Sequence, residues 1–187
     1  MRRSHLSLLL ATLAVTAAAG CGGATTDTAA TDGAPANAPA AAAANLSGQD
    51  RTWLRTIHQG GIAEIHVARL AQSRAKSAEV KALGETLVAE RAKIDGELLR
   101  NAQRFGVDLP GTLTEAHRKQ AQALAQAPNA RFDRRFVAEM LKSHKDAIAA
   151  TRRQINRGSA PEVVALAKST LPSLRNHLDM LRKAADS

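Results

Sequence analysis

From Asp50 onward, apolar residues recur at spacings of three and four, the period of a helix with one buried face. A first segment, about 50–75, aligns Leu54, Ile57, Gly61, Ile65 and Ala68. A second, about 78–105, aligns Val80, Leu83, Leu87, Ile94, Leu98 and Phe105. Ser77 is placed to cap its start, and Gly106 with Pro110 to end it. The link between these segments is only a few residues long, which predicts an antiparallel pair. A longer connection, about 107–130, carries a short helix, with Thr112 and Glu115 at capping-box spacing and Pro128-Asn129 as its breaker. A third long helix, about 131–157, turns Phe132, Phe136, Met140, Leu141 and Ile148 inward and stops at Gly158. Ser159 and Glu162 again have capping-box spacing, ahead of a last helix over about 160–184. Its inward residues are Val163, Ala167, Leu171, Leu174, Leu178 and Leu181. No stretch alternates with the period of a strand. The pattern predicts an all-α, ferritin-like four-helix bundle of two antiparallel hairpins, with a long crossover containing a short helix.

Four residues interrupt the oily seams. Glu64 falls between Gly61 and Ala68, Arg91 between Leu87 and Ile94, His144 between Met140 and Ile148, and His177 between Leu174 and Leu181. An isolated buried polar group is costly, so the four are expected to converge as one buried polar cluster. In that cluster Arg91 pairs with Glu64 and the two histidines hydrogen-bond nearby. The alternative is a transition-metal site on Glu64, His144 and His177. Arg91 cannot act as a ligand and brings a positive charge beside it. A di-iron centre is disfavoured because no Glu-x-x-His motif occurs. His58, Ile62 and His66 follow a line beside the core stripe and read as surface positions; His117, on the crossover helix, has no obvious partner. Gly60-Gly61 inside a helix reads as a packing device. No nucleophile elbow or phosphate-cradling glycine loop is present, so no catalytic residue is assigned.

The segments Gln59 to Glu64, Ser77 to Lys81, Phe132-Asp133-Arg134, Met140 to His144 and Leu171 to Leu178 together resemble the domain of unknown function 4142 family of exported or outer-membrane helical proteins. The resemblance implies a ferritin-like fold and matches Glu64, His144 and His177. It implies a histidine where this chain has Arg91. It implies no common activity.

The N-terminus changes the picture of location. Arg2-Arg3, an apolar run from Leu6 to Ala19, and Ala18-Ala19-Gly20-Cys21 read as a cleavable export signal over 1–20. The ending resembles a bacterial lipobox and implies lipidation of Cys21; a conventional signal leaving a free thiol is the alternative. Residues 21–49 read as the lipid-bearing cysteine and a disordered tether, with the bundle over 50–185. The expected location is membrane-anchored, on the periplasmic face of an outer membrane if the envelope has one.

The 187 residues carry a formal charge of +9 and a single cysteine. Export, the spread of the bases over every helix and the near absence of aromatics argue against a nucleic-acid partner. The expected partners are the membrane through the lipid anchor, and anionic envelope surfaces or another envelope protein. These features together suggest an envelope-anchored, non-enzymatic helical lipoprotein that is a binding or structural module and needs no cofactor. The alternative is a metal-binding ferritin-like protein with weak redox chemistry and a transition metal ion as cofactor.

Overall fold

A computed structural model of the protein describes residues 46–187. The expected signal, Cys21 and the expected tether as far as residue 45 lie outside the described residues. Helices α1 (Gly48–Arg74), α2 (Ala78–Arg104), α3 (Glu115–Ala125), α4 (Asn129–Arg157) and α5 (Pro161–Asp186) make up the fold, with no strand among the described residues. Helices α1 and α2 form one hairpin, α4 and α5 the other. Helix α1 also packs on α4 and α2 on α5, which closes the bundle, while α3 lies against α1 and α4. No helix among the described residues is long and apolar enough to cross a membrane.

The helix ends show which local signals prevailed. Ser77 caps α2 as the sequence predicts, its hydroxyl accepting from the Val80 amide. Past its last turn, Gly106 adopts φ 63°, and the Val107 amide donates to Ala102 O at 2.8 Å. That is a Schellman-type stop, for which glycine carries no Cβ penalty. The crossover helix starts later than Thr112 suggests. Thr114 is its cap and accepts from the His117 amide at 3.1 Å. Ala160, without a side-chain cap, precedes α5. The Ser159 hydroxyl donates instead to Asp50 Oδ2 at 2.7 Å, an acceptor brought from 109 residues away.

Helix α1 begins at Gly48, ahead of the expected position, because Ser47 and Asp50 close a capping box. Leu46 is already buried, so residues 46–49 belong to the folded body and not to a tether. Asp50 does more than cap. Fully buried, it accepts from the Ser47 amide and hydroxyl, from Gln154 Nε2 at 2.5 Å, and from the amides of Ser159 and Ala160. One carboxylate therefore ties the start of α1 to the turn between α4 and α5. Burial pushes its pKa up, but the hydrogen bonds from Ser47, Ser159 and Gln154 outweigh that and hold it far below the usual carboxylate range.

Most expected core positions are buried, including Leu54, Leu87, Phe136, Leu174 and Leu181; Ile65 and Leu141 sit at the edge of the core, half-buried. The apolar interior falls into blocks. One gathers Val67, Leu83, Phe132, Phe136 and Leu181 around the α1–α2 turn. Another gathers Trp53, Leu54, Leu98, Phe105 and Val163 at the opposite end. Between them, a third cluster of Ile148, Leu171, Leu174 and Leu178 shares the middle of the bundle with a set of polar side chains. The hairpin α1–α2 closes tightly at Gly84, where a Cβ would lie 2.7 Å from the Ala68 carbonyl oxygen. Glycine there lets the two backbones approach.

Candidate metal centre

Each of the four long helices contributes one residue to that polar set: Glu64 from α1, Arg91 from α2, His144 from α4 and His177 from α5. All four are at most 4% exposed. The structure thus brings together the four residues that interrupt the oily seams.

Second partners fix the orientation of the two histidines. His144 Nδ1 lies 2.9 Å from the Met140 carbonyl oxygen, which can only accept. Nδ1 is therefore the donor, and in the neutral ring the Nε2 lone pair points the other way. His177 Nε2 lies 2.8 Å from Glu90 Oε2. It donates to that carboxylate, which leaves the His177 Nδ1 lone pair facing inward. The two inward nitrogens stand 3.3 Å apart. Glu64 Oε1 completes the triangle, 3.5 Å from His144 Nε2 and 3.8 Å from His177 Nδ1. With both rings neutral, three lone-pair atoms converge on one point. Glu64 Oε1 has no hydrogen-bond partner although it is buried.

Such a triangle has room for a cation at its centre. The circle through three atoms at these separations has a radius of about 2.0 Å, which is the length of a Zn–N or Zn–O bond, roughly 2.0–2.2 Å. Glu64, His144 and His177 are a set able to hold a metal ion. Arg91 is not part of it. Its Nε sits 3.5 Å from Glu64 Oε2, and its Nη2 donates to the Ile57 carbonyl at 2.9 Å. The guanidinium lies against Gly61, where a Cβ would stand 2.7 Å from Nε. Gly60-Gly61 is thus a packing device as expected, and what it makes room for is Arg91.

Electrostatics follow from this arrangement. Burial raises the Glu64 pKa, but the Arg91 charge and the facing imidazoles outweigh it and lower it from 4.5 to about 2. His177 is shifted downward, chiefly by burial, against the pull of Glu64 and Glu90 toward the charged form. Both shifts favour the states that donate lone pairs: a carboxylate and a neutral imidazole.

A cavity of about 510 Å³ adjoins the cluster, bounded by α1, α3 and α4, with Arg91 of α2 reaching its wall. Glu64, Arg91 and His144 line its inner wall, with Gly60, His117 and Glu139 among the rest. His117 therefore does face the cluster's cavity, and its Nδ1 is buried without a partner. His58 departs from the surface position expected of it. It is 3% exposed, and its Nδ1 lies 2.5 Å from Asp95 Oδ1. An acid 37 residues away on α2 covers it, and the spacing along α1 does not reveal that. His66 is exposed as expected. Sequence reasoning missed Glu90. It stands next to Arg91, off the apolar seam, and only the position of α5 shows that it orients His177.

No curated protein matches the chain. Among solved structures, the fold is similar to a DUF305 fragment from Deinococcus radiodurans, with a TM-score of 0.67 and 16% identity, covering 75% of this chain and 97% of that one. It is also similar to CopM in its Cu(II)-bound form, with a TM-score of 0.61 and 21% identity, covering 73% and 95%. These likenesses support the helical-bundle architecture. The description of the domain of unknown function DUF4142 matches residues 35–184, most of the sequence, and the chain belongs to that family.

Proposed function

We propose that this protein is a transition-metal-binding helical module, holding one divalent ion on Glu64 Oε1, His144 Nε2 and His177 Nδ1. The observation that carries the reading is the convergence of Glu64 Oε1, His144 Nε2 and His177 Nδ1, all buried, which with neutral rings brings three lone pairs together. The supporting shell has the form metal sites use. Each imidazole donates its outer N–H to a carbonyl or carboxylate, which fixes the tautomer and raises ligand basicity. Two imidazoles and one carboxylate suit Zn²⁺ and Cu²⁺, and the general order of affinities ranks Cu²⁺ first. That CopM, a neighbour in fold, has a Cu(II)-bound form supports the same choice. With three protein ligands, a bound ion would keep a position for an outside ligand and could polarise it.

Calorimetric titration of the full chain tests this. We expect one equivalent of Cu²⁺ or Zn²⁺ to bind, and His144→Ala or His177→Ala to abolish stoichiometric uptake. Glu90→Gln should weaken it by about tenfold, since it loosens only the outer partner of His177. Equal uptake by the wild type and both histidine variants would defeat the reading.

We further propose that the module is exported and held on a lipid anchor at Cys21, as the apolar run and Ala18-Ala19-Gly20-Cys21 suggest. Intact-mass measurement of the mature chain should show an acylated N-terminal Cys21. A mature chain starting elsewhere, with no added lipid, would refute this.

A further inference from the structure

The charges in contact with the triad do not balance for a divalent ion. Glu64 is matched by Arg91, and Glu90 contributes one negative charge through His177. An ion of charge +2 then leaves one positive charge in excess, in a site where every ligand is buried. Two observations show where a compensating anion would sit. Arg91 is 2% exposed, and its Nη1 and Nε lack hydrogen-bond partners. His117 Nδ1, also buried without a partner, belongs to the same cavity wall as Arg91, Glu64 and His144. The remaining rim charges are largely satisfied: Glu139 is paired with Arg135 and Asp146 with Lys142. Arg153 adds a further positive charge.

We infer that the metal-loaded protein takes a small monoanionic oxyanion, a short carboxylate or bicarbonate, in this cavity between Arg91 and the bound ion. The inference rests on the metal-binding reading. A planar oxyanion has one oxygen for the open metal position and another to accept a charge-assisted hydrogen bond from the unpartnered Arg91 Nη1. Gly60, on the cavity wall, leaves the space beside Arg91 free of a side chain. Arg91, unable to ligate metal, thereby acquires a role: it makes metal uptake depend on an anion. Binding linkage is reciprocal, so each ligand strengthens the other by the same factor.

The test titrates Zn²⁺ into the full chain in nitrate medium, with and without acetate. We expect acetate to raise Zn²⁺ affinity by about tenfold, a usual size for such coupling. Acetate complexes free Zn²⁺ weakly, which would lower the apparent affinity, so a rise cannot come from solution chemistry. Arg91→Gln should bind Zn²⁺ with little response to acetate. Arg91→Lys keeps the charge without the planar fork and should respond less than wild type, which covers the case of a glutamine variant that does not fold. Zn²⁺ binding that ignores acetate in the wild type overturns the anion site and leaves the metal reading standing. An acetate response of equal size in all three proteins overturns the role of Arg91. Absence of Zn²⁺ binding in both media removes both readings.

Discussion

Asp50→Ala is expected to lower stability by roughly 3 kcal/mol or more, since several buried neutral donors lose their acceptor at about 1–3 kcal/mol each. The carboxylate gathers donors from Ser47, Gln154, Ser159 and Ala160, and the alanine leaves them facing a void. Asp50→Asn preserves shape but offers one acceptor oxygen in place of two, so it should recover only part of the loss. The pH dependence has a definite sign. The folded pKa lies below the ordinary 3.8, so the contribution is complete above 3.8 and is lost as pH falls through the folded value. Urea denaturation from pH 7 to 2 should therefore show the gap between wild type and Asp50→Ala narrowing only below about pH 3.8. A gap constant over that range, or a variant as stable as wild type at pH 7, would contradict the assigned role.

Glu64→Ala should cost the metal-free protein about 3–5 kcal/mol, because it leaves Arg91 buried and charged with no counter-ion. The Glu64 pKa is lowered despite burial, chiefly by the Arg91 charge, which agrees in sign. Since that pKa is depressed, its stabilisation is present above pH 4.5 and fades as pH falls toward 2. Exchanging both members of the pair, as in Glu64→Leu with Arg91→Met, should be far less damaging than the sum of the single changes. Additive losses in this double-mutant cycle would show that the two charges are not coupled. Replacing Glu64 also removes a metal ligand, so the measurements belong in chelator, where only the folding role is read.

The bundle was legible because its cue is periodic. Positions such as Leu54, Leu87, Phe136 and Leu174 repeat at helical spacing whatever the partners are. The same periodicity exposed Glu64, Arg91, His144 and His177, since each interrupts an apolar stripe at a place where exposure is unavailable. Glu90 carries no such mark. It lies about a hundred degrees around α2 from Arg91, at a boundary position where glutamate is ordinary. His58 shows the opposite failure: its position beside the stripe suggested solvent, and Asp95 on the neighbouring helix covers it. Ser159 had a plausible local task as a cap, but the distant Asp50 carboxylate offered a stronger, charged acceptor. Thr112 and Thr114 are both able to cap, and nothing in the nearby sequence ranks them. Local patterns locate faces and ends; pairings across the bundle depend on which surfaces the hairpins bring together.

The polar cluster in the middle of the bundle has a consequence for how the helices find their axial register. Leucine-rich stripes are nearly interchangeable along their length, and sliding one helix by a turn, about 5.4 Å, would cost them little. The same slip would set Glu64 or Arg91 against the leucines of a neighbouring block and leave an unpaired charge in oil. With one member on each of the four long helices, the cluster acts as a locating pin, and only one alignment of the bundle lets all four meet.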